Sequence, residues 1–343
     1  LDQERPLTYQ PFLKWELNFN KKIEIGGVSA SDFVKSFFER RVVMLRVGEN
    51  LNVMVKKIGT SMKDRDPKPI QELAIFEAKA GVDFIDINLG PARKGGGELM
   101  EWVVKTVQEV VDTPLYLDTI NAEAIEAGLK VYKNKKGKAV INSIMARPES
   151  MDAKFPIAQK YNAGVVALLW GPSGLPRDAD ERGVLAAELM QKALEFGIPG
   201  EDIWMDPIVT PVTSPQSQVQ VPSCIEFMKM FKDLQEVLPG MRSTCGLSNV
   251  SNGAPEHLRP ILNQTYMMML ERYGMASAIV DAFDEDLKKF ASGGRADLRK
   301  LVYRVMDGEE IDLKSLSKEE ADYVKTTRVL IAKTLYSDSW LEL

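Results

Sequence analysis

Asp118, Asn142 and Asp206 each end a short apolar run: Leu115-Tyr116-Leu117-Asp118, Ala139-Val140-Ile141-Asn142 and Ile203-Trp204-Met205-Asp206. A carboxylate accepts hydrogen bonds, and an amide both donates and accepts. Gathered in one mouth, such groups suit the edge of a polar, nitrogen-rich heterocycle. Buried bonds of this kind discriminate strongly, because a ligand that lacks the matching atoms leaves protein polar groups unpaired. The plainer reading of each residue is a cap on the helix that follows. Three of them at matching strand ends weigh against it. None of these runs ends on His or Cys, so a zinc site is not expected.

A second polar segment is Cys245-Gly246-Leu247-Ser248-Asn249-Val250-Ser251-Asn252. Gly246 thins the chain there, as if a ligand or backbone approaches closely. Ser248, Asn249 and Ser251 then offer polar side chains. The competing reading is a turn built from turn-forming residues. A pterin fits the first set of groups: its 2-amino group, ring N–H and carbonyl lie along one edge. Lys94-Gly95-Gly96-Gly97-Glu98 has the look of a phosphate cradle at a helix start, although a flexible loop explains it more simply. Trp170-Gly171-Pro172-Ser173-Gly174 reads as a rigid turn or a wall beside the ligand. The lone His257 lies in a loop and reads as a surface residue.

These residues need a scaffold that brings distant strand ends together. Eight apolar runs recur about every 30 residues, separated by amphipathic stretches, which predicts a (β/α)8 TIM barrel with its chemistry at the carboxyl ends of the strands. The other runs lead into Gly48-Glu49-Asn50, Phe84-Ile85-Asp86-Ile87-Asn88, Val165 to Trp170, Thr244 to Asn249 and Ala278 to Asp281. Helices are predicted over Pro69–Ala80, Glu98–Val111, Ala122–Tyr132 after an Asn121 cap, Glu181–Phe196 and Cys224–Leu238. A barrel takes roughly 250 residues, so about 90 of the 343 are surplus. They divide into an N-terminal extension, 1–40, with a hairpin near 17–27 and a helix over Asp32–Arg40, and a helical insertion at about 291–318 in the last helical region. The barrel domain is expected to span 41–343. Asp284–Phe290 begins a helix, Ser292-Gly293-Gly294 breaks it, Arg295–Met306 forms another, and a capping box at Ser317 starts the last, through Leu335.

Composition excludes several classes. Hydrophobic residues make up 45% and charged residues 27%, an ordinary globular balance. The net charge is −5 with signs interspersed, which argues against nucleic acid as a partner. No apolar run approaches the roughly 18 residues of a membrane span, and no signal peptide is evident. Two cysteines without repeated spacing suit a reducing, cytoplasmic setting.

Taken in order, Gly48-Glu49-Asn50-Leu51-Asn52, Asp86-Ile87-Asn88-Leu89-Gly90-Pro91, Leu117-Asp118-Thr119, Ile141-Asn142-Ser143, Met205-Asp206-Pro207 and Gly246-Leu247-Ser248-Asn249-Val250-Ser251 resemble the pterin-binding barrel family, in particular its methyltetrahydrofolate:corrinoid/iron-sulfur protein methyltransferases. The likeness runs from about residue 44 to 290 and resumes near Thr326 to Leu341; it does not extend to 1–40 or 291–318. The resemblance implies that Asp118, Asn142 and Asp206 bind the pterin ring and that Asn249 lies at N5, the nitrogen that bears the methyl group. It adds Asp86, Asn88, Ser248 and Arg259 as further pocket residues, with Arg259 following a lengthened loop. The implied substrate is methyltetrahydrofolate. The implied partner is a corrinoid protein, either the corrinoid iron-sulfur protein of acetyl-CoA (Wood–Ljungdahl) metabolism or one serving O-demethylation, because the chain has no Asp-x-His-x-x-Gly motif of its own to hold a corrin. A homodimer is also implied. Two alternatives share the barrel: a dihydropteroate synthase, whose Ser-Arg-Lys at the seventh strand end is Ser248-Asn249-Val250 here, and a non-catalytic pterin-binding scaffold subunit of a corrinoid complex.

Overall fold

The computed structural model describes residues 44–92 and 94–342, and the predicted N-terminal hairpin and helix lie outside that range. Eight parallel strands form the centre: β1 (Leu45–Gly48), β2 (Phe84–Asn88), β3 (Leu115–Asp118), β4 (Val140–Met145), β5 (Gly164–Leu168), β6 (Ile203–Asp206), β7 (Arg242–Ser243) and β8 (Ser277–Val280). Their order is β7-β6-β5-β4-β3-β2-β1-β8. A parallel bridge from Gly246 to Ile279 closes the ring, with the Ile279 amide donating to the Cys245 carbonyl at 2.8 Å. The molecule is a (β/α)8 TIM barrel.

Period-two alternation decides what faces the barrel axis. Val47, Phe84, Tyr116, Val140, Val166, Trp204 and Ile279 pack together as an apolar floor inside the ring. Phe84 and Tyr116 meet edge to face with centroids 5.0 Å apart, and Phe84 and Trp204 at 5.8 Å. Two residues further along each strand come Glu49, Asp86, Asp118, Asn142, Leu168, Asp206 and Asp281. The same parity that builds the floor therefore lifts a polar layer above it. Neighbouring register sets Asn88 beside Asp118 and Asp118 beside Asn142. Asp206 aligns with Leu168 on β5, one strand removed from β4.

The outer layer holds α1 (Lys56–Asp64), α2 (Pro67–Ala80), α3 (Gly96–Gln108), α4 (Ala122–Val131), α5 (Pro148–Tyr161), α6 (Ala179–Glu195), α7 (Ser217–Val237) and α8 (Arg259–Glu271). The last helical region comprises α9 (Glu285–Ala291), α10 (Ala296–Met306) and α11 (Lys318–Leu330). Apolar stripes seat them on the sheet: Met100, Val103, Val104 and Val107 on α3, and Leu185, Ala186, Leu189 and Met190 on α6. Asn121 caps α4 by accepting from the Glu123 and Ala124 amides, and Ser317 and Glu320 form the capping box of α11. Gly293, at φ +79°, lies in the break between α9 and α10.

Several elements differ from the sequence expectation. β7 is only Arg242–Ser243; the chain stays beside β6 and β8 through Thr244, Cys245 and the Gly246 bridge, and Leu247–Ser251 is a 3-10 turn rather than strand. β4 runs past Asn142 to Met145, with a register shift between Ile141 and Ile144. α7 begins at Ser217, seven residues before Cys224, and carries Pro222 inside it. α11 ends at Leu330, five residues short of Leu335, where Ala332 turns to φ +60°. Gly96, whose added Cβ would lie 2.9 Å from Ala92 Cβ and 3.2 Å from Asn121 Nδ2, serves close packing in the glycine-rich segment. Cys224 and Cys245 are both free and buried. Among the described residues no helix is long and apolar enough to cross a membrane.

Candidate active site

The helix-capping reading of the strand-end residues fails on position. The residues preceding α4, α5 and α7 are Asn121, Arg147 and Gln216, not Asp118, Asn142 or Asp206. Asp118, Asn142, Asp86 and Asn88 form two bonded pairs instead. The Asn142 amide donates to Asp86 Oδ1 at 3.0 Å, and the Asn88 amide donates to Asp118 Oδ2. Asn88 Oδ1 in turn accepts from the Gly90 amide at 2.9 Å. Asp206 Oδ1 accepts from the Ile208 amide at 2.8 Å, within its own turn. Asp86, Asn142 and Asp206 are buried, whereas Asp118 and Asn88 are half-buried.

Helices supply cations behind two of these carboxylates. Lys154 of α5, only 2% exposed, donates to the Ser143 carbonyl at 2.6 Å and to the Thr119 carbonyl at 3.4 Å. Arg182 of α6 is fully buried and donates to the Pro207 carbonyl, to Ser223 Oγ and to Gln220 Oε1 at 2.7–2.8 Å. Burial pushes Asp118 up to about 7, opposed by the charge on Lys154. Burial pushes Asp206 up to about 7 as well, opposed by the Ile208 hydrogen bond and by Arg182. Lys154 is itself lowered by burial to about 8 while Asp118 pulls it back up. Asp86 is raised well above the carboxylate range, first by burial and then by the neighbouring Asp118 charge.

The other side of the mouth is more open. A cleft of about 430 Å³ lies over β1, the turn after β7, and α8, with Glu49, Asn52, Ser248, Arg259, Asn263 and Asp281 among its walls. Ser248 Oγ donates to Glu49 Oε2 at 2.9 Å. Burial raises Glu49 to about 7, with Asp281 adding to the rise while Ser248 and Arg259 oppose it. Arg259 Nε donates to Ser251 Oγ at 3.2 Å. Asn50 donates through its side chain to Asp281 Oδ1 at 2.9 Å and through its backbone to Glu77 Oε1 at 3.0 Å. Glu77 reaches in from α2, fully buried, and burial raises it to about 8. Gly48 makes the space, since a Cβ there would lie 2.6 Å from Glu77 Oε1.

Asn249 stands at the exposed rim, above the buried groups. Its Oδ1 accepts from Asn252 Nδ2 at 3.1 Å, and among the described residues Asn249 Nδ2 has no acceptor. Gly246 gives that amide room: an added Cβ would come within 2.8 Å of Asn249 Nδ2. The close approach read from Gly246 in the sequence is therefore made by Asn249 itself. His257 is exposed in a 3-10 turn.

All the predicted site residues thus share the carboxyl end of the barrel, but in two groups. Asp86, Asn88, Asp118, Asn142 and Asp206 line the β2–β6 side. Ser248 and Arg259 line the cleft, with Asn249 beside them in sequence. Sequence reasoning gave no site role to Glu49, Asn50, Glu77, Asp281, Lys154 or Arg182. For Glu77, Lys154 and Arg182 a signal existed: each is a charged residue on the buried stripe of its helix, alongside Ile70 and Ala74, Ile157 and Ala158, and Leu185 and Ala186.

The architecture is that of barrel enzymes whose polar strand ends face one mouth. The chain belongs to the pterin binding enzyme family, whose model matches residues 48–281. A methylcorrinoid:tetrahydrofolate methyltransferase of Eubacterium limosum is 27% identical over 246 residues, covering 71% of this chain and 87% of that protein. A methionine synthase of Mycobacterium leprae is 25% identical over 252 residues, and the matched stretch spans only 21% of that longer protein. Among solved structures, a dihydropteroate synthase of Xanthomonas albilineans in complex with 7,8-dihydropteroate superposes with a TM-score of 0.51 at 16% identity, over 78% of this chain and 94% of that one. One from Coxiella burnetii gives 0.53 at 14% identity, over 73% and 92%. At these identities the structural matches speak for the fold alone.

Proposed function

We propose that the protein is a methyltransferase that moves a methyl group between N5 of tetrahydrofolate and the cobalt of a corrinoid carried by another protein. The observation that carries this reading is the pairing of an amide donor at the rim, Asn249, with a deep row of pterin-edge acceptors, Asp118, Asn142 and Asp206. Both the methylcorrinoid methyltransferase and the methionine synthase relatives support the same reaction class. At the seventh strand end the amide Asn249 stands between Ser248 and Val250, and a diphosphate-releasing reaction calls for cations there.

In this reading Asp118 and Asp206 accept from the 2-amino group and ring N–H of the pterin, and Asn142 complements the remaining polar atoms of that edge. The Phe84–Tyr116–Trp204 floor limits how deep the ring can sink. The cleft beside Arg259 has room for the benzoyl-glutamate arm of the folate. The reduced cobalt of the partner's corrin supplies the nucleophile. As the N5–methyl bond breaks, its electron pair stays on N5, and that nitrogen must gain a proton. Asn249 Nδ2 donates a hydrogen bond to N5 as this charge develops, the kind of stabilisation worth most in the transition state. The proton itself is held by Glu49, whose carboxyl is poised at about 7 next to Ser248 and faces the same cleft. The reverse transfer returns it there.

The test is methyl transfer from methyltetrahydrofolate to free reduced cobalamin, followed by loss of the cob(I)alamin absorbance. Turnover supports the reading. A folded protein that binds folate and transfers nothing would instead be a scaffold subunit. The corrinoid iron-sulfur protein and an O-demethylation corrinoid protein are the two partner classes to compare in that assay, and chromatography with light scattering tests the expected homodimer.

A further inference from the structure

Lys154 occupies an unusual place for a lysine. It sits on the buried stripe of α5, four residues after Ser150 and three before Ile157. Its ammonium ends against two main-chain carbonyls, those of Ser143 on β4 and Thr119 just after β3. Those carbonyls belong to the residues that directly follow Asn142 and Asp118. Thr119 is bound on two further sides: its amide donates to the Asn142 carbonyl at 3.1 Å, and its hydroxyl donates to the Gly90 carbonyl at 2.7 Å. A continuous belt therefore runs from the end of β2 through β3 and β4 to α5, and Asn88, Asp118 and Asn142 project from it.

The chemistry of the ring calls for more than geometry. Asp118 can accept from two pterin N–H groups only as a carboxylate. Burial pulls the other way: it pushes the Asp118 carboxyl up to about 7, and Asp118 in turn raises the buried Asp86 of β2. From β2 Asn88 donates one hydrogen bond to it, and from α5 Lys154 supplies the positive charge. A lysine buried without such a purpose would cost stability that a methionine of similar length would not.

We propose, resting on the folate reading above, that Lys154 is a positioning residue of the pterin pocket, which ties the ends of β3 and β4 into one edge and sets a positive charge behind Asp118 where it meets the ligand. Three variants separate the two roles. Lys154→Arg keeps the charge, Lys154→Gln keeps a donor without the charge, and Lys154→Met keeps neither. Folate affinity is read by calorimetry between pH 5.5 and 8, and KM and kcat for methyl transfer are read in parallel. Lys154→Met and Lys154→Gln should weaken folate binding on the order of 30-fold near pH 7. They should raise KM more than they lower kcat, and move the acid limb of binding upward by about one pH unit or more. Lys154→Arg should restore most of the wild-type limb. If Lys154→Met does not fold, the Gln and Arg pair carries the test. Wild-type affinity and an unmoved acid limb in Lys154→Gln would overturn the proposal and leave Lys154 a strut. Failure of the folate reading looks different, because the wild-type protein itself would then bind no folate.

Discussion

The two sides of the barrel mouth carry similar acids but treat them differently. On the β2–β6 side, Asp118 and Asp206 each have a buried cation behind them, Lys154 and Arg182, delivered from the helix layer. On the β8–β1 side, Glu49 and Glu77 have no comparable backing among the described residues. The cation that opposes the rise of Glu49 is Arg259, which is a third exposed. Burial raises all four carboxyls, to about 7 or 8, and in the first pair a buried cation opposes that rise. In the folate reading the backed pair meets the N–H groups of the ligand, and Glu49, which faces the open cleft, gives and takes the proton. Asp86 lies on the border, raised by burial and by Asp118, with Asn142 donating to it.

Four substitutions break or sharpen this contrast. Asn249→Ala removes the amide that the folate reading sets at N5 and should lower the methyl-transfer rate by about 10²-fold with a smaller loss of folate affinity; an unchanged single-turnover rate would take Asn249 out of the mechanism. Asp206→Asn, on the recognition side, should weaken folate binding by roughly 10- to 100-fold while Arg182 stays satisfied by Pro207, Ser223 and Gln220. Calorimetry showing wild-type affinity would contradict that.

Glu49→Gln, on the proton side, should leave folate affinity nearly intact. It should reduce transfer from methyltetrahydrofolate below pH 7 by roughly 10-fold, less than a donor in direct contact would lose. The wild-type rate should fall as pH rises through about 7, and that limb should flatten in the variant. A limb that persists in Glu49→Gln assigns the proton to another group.

Glu77→Gln gives the smallest effect, on stability. The folded-state value of Glu77, about 8, lies above its ordinary 4.5. The folded chain thus holds this proton more tightly than the unfolded one, so the contribution is present below about pH 4.5 and is lost as pH rises through 8. Above pH 8 the variant should therefore melt roughly 2–4 °C higher than wild type, with the gain absent near pH 4.5. Parallel melting curves for the two proteins across that range would remove Glu77 from the set of buried neutral acids.

Much of the barrel was legible because strand parity is a local signal. The alternation that put Phe84, Tyr116 and Trp204 inside also pointed Asp86, Asp118 and Asp206 upward, and both patterns are written in runs of a few residues. The seventh strand was misread because Thr244 to Leu247 is apolar enough for a strand but curls at Gly246 to fit the Asn249 amide, a contact made only in the folded chain. α1 went unread: no acidic residue stands in its first turn, and lysines dominate its exposed face. The backing cations were the hardest part. A lysine or arginine on an amphipathic helix usually turns to solvent, so the place of Lys154 and Arg182 on the apolar stripes is a weak signal beside their burial in the assembled barrel.

The most direct measurement is the crystal structure of the protein with methyltetrahydrofolate bound. The pterin edge should lie against Asp118, Asn142 and Asp206, with N5 about 3 Å from Asn249 Nδ2 and its methyl group facing open solvent. A folate bound elsewhere, or one whose N5 lies beyond hydrogen-bond reach of Asn249, would contradict the folate reading.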